Sequence, residues 1–397
     1  MTNTRVIGVT FRRGLLILLA ASLVSVPRLI GQEKGSGQKG GGDETGQYEV
    51  VLGWPEHPRE GWVSGPVTGI FAESPDRVFF IQRGELKLPE NNGRGRNAIP
   101  NPNPTFSTPA RSATAAVGEV RREHYINVAN RDGKIIESWT QWDKLWDGSR
   151  GPHHIKINPY DPEKHVWIID DDLQQILEFT NDGKQLVKTI GERLVKGTDG
   201  NHFGRPTDIA WLPDGTFFIT DGYINTRVLK YDKDGKFLMM WGTEGAGPGQ
   251  FKSPVHAVAI DDDRRLYVAD RGNSRIQIFD ENGKFLDQWP NIRDPWDVHI
   301  TADQRYVWVA DGTLNKFLKF DKAGHLLYSW GTFGQFPGGL WGVHQFSVDS
   351  EGNLYAAEAF GGRAEKFRPK PGADPAKVIP ADKPLPLRVA ARQRASR

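Results

Sequence analysis

Cysteine is absent from the 397-residue chain, and neither sign of charge dominates it. Without cysteine, the chain forms no disulfides. The 51 lysines and arginines are balanced by 49 aspartates and glutamates, which leaves a formal net charge of +2. The chain thus has no marked excess of positive charge, so nucleic-acid binding is not expected.

Long apolar runs and helical periodicity are missing as well. Beyond the N-terminus, no stretch is long and apolar enough to span a bilayer. Apolar residues instead alternate with a period of two, which is typical of strands. The 45 glycines, 26 prolines and 13 tryptophans suit a turn-rich chain with aromatic side chains packed between sheets. These features predict an all-β fold.

The N-terminus differs from the rest of the chain. Arg12 and Arg13 precede an apolar run, which predicts an export signal over residues 1–30. The alternative is an uncleaved anchor helix, which would be the protein's only membrane contact. Residues 31–46 form a glycine-rich linker. We therefore expect an exported protein, either periplasmic or secreted.

A four-strand unit repeats along the remainder of the chain. One clear copy covers residues 206–242, and copies recur about every 40–55 residues, a spacing typical of propeller blades. Residues 47–368 are predicted to form one six-bladed β-propeller. Residues 48–52 are expected to add a strand to the last blade and so close the ring.

Two segments depart from the repeat. Residues 86–123 interrupt the first copy without periodicity, which predicts a disordered loop or a flap over one face of the propeller. Residues 369–397 are rich in proline, alanine, lysine and arginine, and are predicted to be a disordered tail.

Histidine occupies the same place in alternate repeats. His153, His256 and His344 each begin an apolar strand, whereas the two repeats between them have Thr207 and Trp296 there. In a ring of six repeats, the three imidazoles would converge on the central axis. Three imidazoles with a fourth position open are typical of a catalytic zinc site. A lone histidine would more often be structural, and the neighbouring His154 is expected to point to the opposite side of its strand.

Two motifs carry a more specific resemblance. They are Asn-His-Phe-Gly-Arg-Pro-Thr-Asp at residues 201–208 and Asp-Gly-Tyr-Ile-Asn-Thr-Arg at residues 221–227. The chain resembles the NHL-repeat propellers and, among them, the peptidyl-α-hydroxyglycine α-amidating lyases, over residues 65–367. The resemblance implies cleavage of a peptidyl α-hydroxyglycine to a peptide amide and glyoxylate, with a small peptide-like or hydroxy-acid substrate.

The resemblance also implies roles for particular residues. His153, His256 and His344 match the zinc ligands of the family. Tyr223 matches its catalytic tyrosine, whose pKa would be lowered near metal and arginines. Arg83, in a Gln-Arg-Gly sequence, and Arg271, after Val-Ala-Asp, match its active-site arginines. Guanidinium groups of this kind hold carboxylates in a fixed geometry.

Departures from the family pattern concern its disulfide and its calcium. Gly204 and Ile224 replace the two cysteines that pair in the family. Gln345 stands where the family has an aspartate that binds a structural calcium. An amide is a far weaker calcium ligand than a carboxylate, so calcium is not expected.

A second class of function stays open at this point. NHL propellers also serve as binding platforms, so the chain could be an exported, non-catalytic module that binds a protein, glycan or small ligand. Gln345 and the absence of a monooxygenase half from this chain favour that alternative. His153, His256, His344, Tyr223 and Arg83 together favour the enzyme. In either case we expect a monomer.

Overall fold

The computed structural model describes residues 45–57, 59–87 and 120–383. The predicted export signal, most of the linker and most of the 86–123 insertion lie outside these residues. In chain order, the strands are β1 (Tyr48–Val50), β2 (Trp62–Ser64), β3 (Val67–Ser74), β4 (Arg77–Gln82), β5 (Glu85–Lys87), β6 (Val120–Arg121), β7 (Ile126–Ala129), β8 (Ile135–Ser138), β9 (His154–Ile157), β10 (Val166–Asp170), β11 (Gln175–Phe179), β12 (Leu186–Ile190), β13 (Pro206–Trp211), β14 (Phe217–Asp221), β15 (Arg227–Tyr231), β16 (Phe237–Trp241), β17 (Val255–Ile260), β18 (Leu266–Asp270), β19 (Arg275–Phe279), β20 (Phe285–Trp289), β21 (Pro295–Ile300), β22 (Tyr306–Asp311), β23 (Lys316–Asp321), β24 (Leu326–Trp330), β25 (Val343–Val348), β26 (Leu354–Glu358) and β27 (Arg363–Pro369).

Six four-stranded antiparallel sheets make up most of the described chain. Four of them consist of four consecutive strands, whereas the first is β3-β4-β7-β8 and the last takes β1 as its outer strand. In every sheet the strands run outward from an inner strand. The inner strands are β3, β9, β13, β17, β21 and β25, and each contacts the next, with β25 returning to β3. Short 3-10 helices cover Thr140–Trp146 and Arg271–Asn273. The predicted all-β propeller is thus confirmed, and within the described residues no helix has the length and apolarity to cross a membrane.

The first and last strands of the propeller pair with each other. Strand β1 pairs with β27, with Tyr48 opposite Pro369, so the N-terminal strand completes the last sheet as predicted. Because the last sheet takes its outer strand from the chain's start, the ring is closed by backbone hydrogen bonds.

A separate small sheet of β2, β5 and β6 lies at the two ends of the insertion.

The C-terminal segment corrects one prediction. Residues 370–383 were expected to be disordered, but Ile379 is buried against the last blade, and its N–H donates to the Tyr48 hydroxyl at 2.7 Å. The polar composition of the segment hides a short apolar stretch at Val378 and Ile379 that adds to this core. Residues 384–397 lie outside the described residues.

A β-bulge opens the inner strand of every blade. In five blades the register shifts so that two successive inner-strand residues face one residue of the neighbouring strand. The same holds for the second blade, where the His153 N–H bonds Ile169 O and His154 is also in register with Ile169. A bulge re-aims side chains that strict alternation would place on opposite faces.

The bulges therefore present two rings of residues to the central channel. The upper layer, as we call it, contains the first residue of each pair: Thr68, His153, Thr207, His256, Trp296 and His344. The lower layer contains the second: Gly69, His154, Asp208, Ala257, Asp297 and Gln345.

Candidate metal centre

Three histidines of the upper layer converge as the sequence predicted. The ring centroids of His153, His256 and His344 lie 4.6–5.1 Å apart, and one ring nitrogen from each lies within 4.8 Å of the others. All three side chains are buried. The alternate-blade spacing in the sequence thus becomes one compact cluster at the channel axis.

Each imidazole is fixed by the next blade around the ring. The Nδ1 of His153 lies 2.8 Å from Thr207 O, that of His256 lies 2.6 Å from Trp296 O, and that of His344 lies 2.6 Å from Thr68 O. A carbonyl oxygen can only accept a hydrogen bond, so each Nδ1 must carry the proton. The lone pair of every ring is therefore on Nε2. The three residues without histidine in the upper layer supply the carbonyls that set this tautomer.

This arrangement fits a divalent metal. Burial, and then the positive charge of neighbouring groups, lowers the pKa of all three histidines well below its usual value. Neutral imidazole is the form that binds metal. A carbonyl bonded to the opposite ring nitrogen is the usual way in which a histidine ligand is oriented. Three neutral nitrogens leave a fourth position open.

Tyr223 lies at the mouth of the cluster. Its hydroxyl is 3.0 Å from His256 Nε2 and 3.2 Å from His153 Nε2, so it can donate to either nitrogen. Its pKa was expected to be lowered. Burial raises the pKa of Tyr223, and the charges of Arg271 and Arg83 lower it in part, as expected of the arginines. The expected lowering by a metal would be a separate contribution. The protein groups alone thus favour the neutral phenol.

The two predicted arginines also lie beside the cluster. Arg83 is buried, donates from Nε to Pro152 O at 3.2 Å, and contributes to lowering the pKa of His153 and His344. Arg271 donates from Nε to Asp294 at 2.6 Å, and its guanidinium carbon lies 4.3 Å from the centre of the Trp296 ring. Both guanidiniums are thus held by protein partners beside the histidines.

Sequence reasoning missed a group of charged residues here. Asp171, which is buried, accepts hydrogen bonds from Arg83, Arg150 and Arg205. The Arg205 guanidinium carbon lies 4.5 Å from the centre of the Tyr223 ring. No spacing pattern signals this group, because its members come from three blades and occupy different positions in the repeat.

His154 was expected to point away from the metal site, and that prediction is wrong. Its ring stacks on His153 at 4.7 Å and lies 5.0 Å from the His344 ring, inside the channel. The bulge places both histidines on the axial side. His154 Nδ1 is 3.1 Å from Asp208 Oδ1, so the side chain belongs to the lower layer and lies beneath the three converging rings.

The lower layer does not fit calcium. Gln345 Oε1 accepts from the N–H groups of Ile70 and Ile155, and its Nε2 donates to Ile155 O, so backbone uses both lone pairs of the amide oxygen. The Lys156 ammonium already contacts Asp208 Oδ2 at 2.6 Å and the carbonyl of Ile209 at 3.2 Å. A calcium ion in this layer would have to displace the ammonium from Asp208 and the backbone donors from the Gln345 oxygen.

Comparisons with known proteins agree with this architecture. The NHL repeat family matches residues 255–279. The human NHL repeat-containing protein 3 is 28% identical over 282 residues, which is 68% of each chain. Among solved structures, virginiamycin B lyase from Staphylococcus aureus aligns over 85% of this chain and 91% of its own, with 15% identity and a TM-score of 0.47. The chain thus contains an NHL repeat, and the matched residues run from β17 to β19.

Relatives with named amidating activities are also similar in sequence. Peptidyl-α-hydroxyglycine α-amidating lyase 1 of Drosophila melanogaster is 35% identical over 44% of this chain and 32% of its own length. Peptidyl-glycine α-amidating monooxygenase B of Xenopus laevis is 36% identical over 56% of this chain. The matched region spans about a quarter of that monooxygenase, 24% of its length. The chain is thus related to proteins named for peptide amidation.

Proposed function

We propose that this chain is a metal-dependent lyase that cleaves an N-acyl α-hydroxyglycine into an amide and glyoxylate. The observation that carries the proposal is the cluster of three Nε2 lone pairs, fixed by three backbone carbonyls, with the Tyr223 hydroxyl beside them. Similarity to the Drosophila lyase supports the same reaction class.

His153, His256 and His344 would hold the metal, for which zinc suits three imidazoles and an open fourth position. A bound zinc ion would act as a Lewis acid toward the substrate hydroxyl and make its proton easier to remove.

Tyr223 is the proposed proton-transfer group. In the reaction the C–N bond breaks, the hydroxyl carbon becomes an aldehyde, and the amide nitrogen gains the proton that the hydroxyl loses. A neutral phenol can give its proton to the nitrogen and take the hydroxyl proton in exchange, so it ends the reaction unchanged. The hydroxyl of Tyr223 is placed for this role, since it lies 3.0 Å from His256 Nε2 and 3.2 Å from His153 Nε2.

Arg83 and Arg271 are the proposed clamp for the substrate carboxylate. Their partners, Pro152 O and Asp294, hold the two guanidiniums in fixed orientations before substrate arrives. Groups that are already oriented in this way lower the activation barrier of the reaction, because they need little reorganisation when substrate binds.

The test combines metal analysis with glyoxylate release from a model N-acyl α-hydroxyglycine. We expect one zinc per chain and turnover in the wild type. His256→Ala should lose the metal and at least about 10³ of the rate, because several kcal/mol of Lewis-acid stabilisation is removed. His325→Ala is the matched control, since His325 is exposed and pairs only with Asp321 among the described residues. A metal-loaded wild type that releases no glyoxylate would favour the binding-platform alternative.

A further inference from the structure

One buried carboxylate, that of Asp171, accepts hydrogen bonds from three arginines next to the three histidines. Asp171 Oδ1 accepts from Arg83 Nη2 at 2.7 Å, while Oδ2 accepts from Arg150 Nη2 at 2.6 Å and from Arg205 Nε at 3.1 Å. Two further carboxylates lie near this group: Asp172, 3.6 Å from Arg150 Nε, and the buried Asp170, which interacts with Arg83. Three guanidiniums thus share the two oxygens of Asp171.

The three arginines differ in depth. The Arg83 side chain is 4% exposed, whereas those of Arg150 and Arg205 are 28% and 24% exposed. Arg205 also lies over the Tyr223 ring, whose hydroxyl touches the histidines. Arg150 and Arg205 therefore occupy the solvent side of the site, where the part of a substrate farther from the metal would lie.

Both outer arginines keep donors for a ligand. Asp171 engages Nη2 of Arg150 and both Nε and Nη2 of Arg205, while no described residue accepts from the Nη1 of either. Guanidinium groups that are fixed on one edge and open on the other are suited to binding a carboxylate.

We infer that Arg150 and Arg205 determine specificity by binding a second carboxylate, located on the acyl part of the substrate. The inference rests on the proposed function and deepens it. The preferred substrate is then a dianion, an N-acyl α-hydroxyglycine whose acyl group ends in a carboxylate. Its α-carboxylate meets the buried Arg83 and the half-buried Arg271, and its outer carboxylate meets the half-buried Arg150 and Arg205.

The experiment measures binding of two unreactive analogues to the zinc-loaded protein by calorimetry. N-glutarylglycine carries both carboxylates, and its terminal amide differs from it by that one charge. We expect the dianion to bind about tenfold or more tightly, because hydrogen bonds between guanidinium and carboxylate are stronger than those between guanidinium and a neutral amide. The preference should weaken at high salt.

Variants decide whether the two arginines cause the preference. The double variant Arg150→Gln and Arg205→Gln should bring the affinity ratio close to one, and each single variant should lower it in part. Arg305→Gln, an exposed arginine paired with Asp303, should leave the ratio unchanged. Zinc content and the unfolding midpoint verify that each variant is folded.

Equal affinity for both analogues in the wild type, no binding of either, or a preference that survives the double variant would each overturn the inference. The lyase reaction is judged separately by glyoxylate release. A dianion preference without turnover would therefore refute the proposed reaction alone, and turnover without the preference would refute the specificity assignment alone.

Discussion

The upper and lower layers of the channel are one residue apart on every inner strand, yet they use their polar atoms in opposite ways. In the upper layer, His153, His256 and His344 engage one ring nitrogen each with backbone and keep the other for a ligand. In the lower layer, the amide of Gln345 forms hydrogen bonds with the backbone of two other blades, at Ile70 and Ile155. The difference shows that a ligand-binding site needs polar atoms without a protein hydrogen-bond partner. The contacts between blades need polar atoms whose hydrogen bonds are formed within the protein.

The two carboxylates of the lower layer, Asp208 and Asp297, are hydrogen-bonded by groups from other blades. Asp208 accepts from Lys156 and from the Val258 N–H, and Asp297 accepts from the Phe346 N–H of the last blade. These contacts involve five of the six inner strands, β9, β13, β17, β21 and β25. The Lys156 ammonium thus offsets the charge of Asp208.

The largest expected effect tests the upper layer. Tyr223→Phe should lower turnover by about 10²–10⁴, because a proton-transfer group is lost. Zinc content should not change, since the phenol is not a proposed ligand. Glyoxylate release and elemental analysis measure both quantities, and a zinc-loaded variant with full activity would contradict the role of Tyr223.

The next prediction tests the lower layer. Asp208→Asn should destabilise the fold by about 3–5 kcal/mol, because the Lys156 ammonium loses its buried counter-charge. Denaturant unfolding measures the change. Asp303→Asn, at an exposed ion pair with Arg305, is the control and should cost at most about 1 kcal/mol. The idea of a structural lower layer fails if the two variants are equally stable.

Acid should remove the same contribution. Burial raises the pKa of Asp208, but Lys156 and His154 outweigh it, so the pKa is lowered to about 2. A carboxyl whose folded pKa is depressed stabilises the fold above its unfolded value of about 4 and loses that contribution as the pH falls toward 2. The stability gap between wild type and Asp208→Asn should therefore shrink between pH 4 and pH 2. A gap that stays constant would contradict this assignment.

Calcium should have the smallest effect. A calcium-selective chelator, or added calcium, should shift the unfolding temperature by less than about 1 °C, because an ion that does not bind the native state cannot stabilise it. Thermal unfolding of the zinc-loaded protein is the measurement. A calcium-dependent rise in the midpoint would show that the lower layer still accepts the ion.

Much of the architecture was accessible from local patterns. The period-two alternation and the repeated turns predicted the propeller, and the strand at Tyr48 was expected to close it. The tail was mispredicted because composition does not reveal that two apolar residues, Val378 and Ile379, find a buried surface. His154 was misplaced because alternation ignores the bulge at each inner strand.

The sequence by itself determined the all-β repeat, the alternation of His153, His256 and His344, and the glutamine at position 345 after the third histidine. These are properties of spacing and residue type. Only the tertiary structure decided which nitrogen of each histidine is free, because that depends on a carbonyl from the next blade. It also decided that Arg83, Arg150 and Arg205 share Asp171, since residues far apart in the chain meet only when the ring closes.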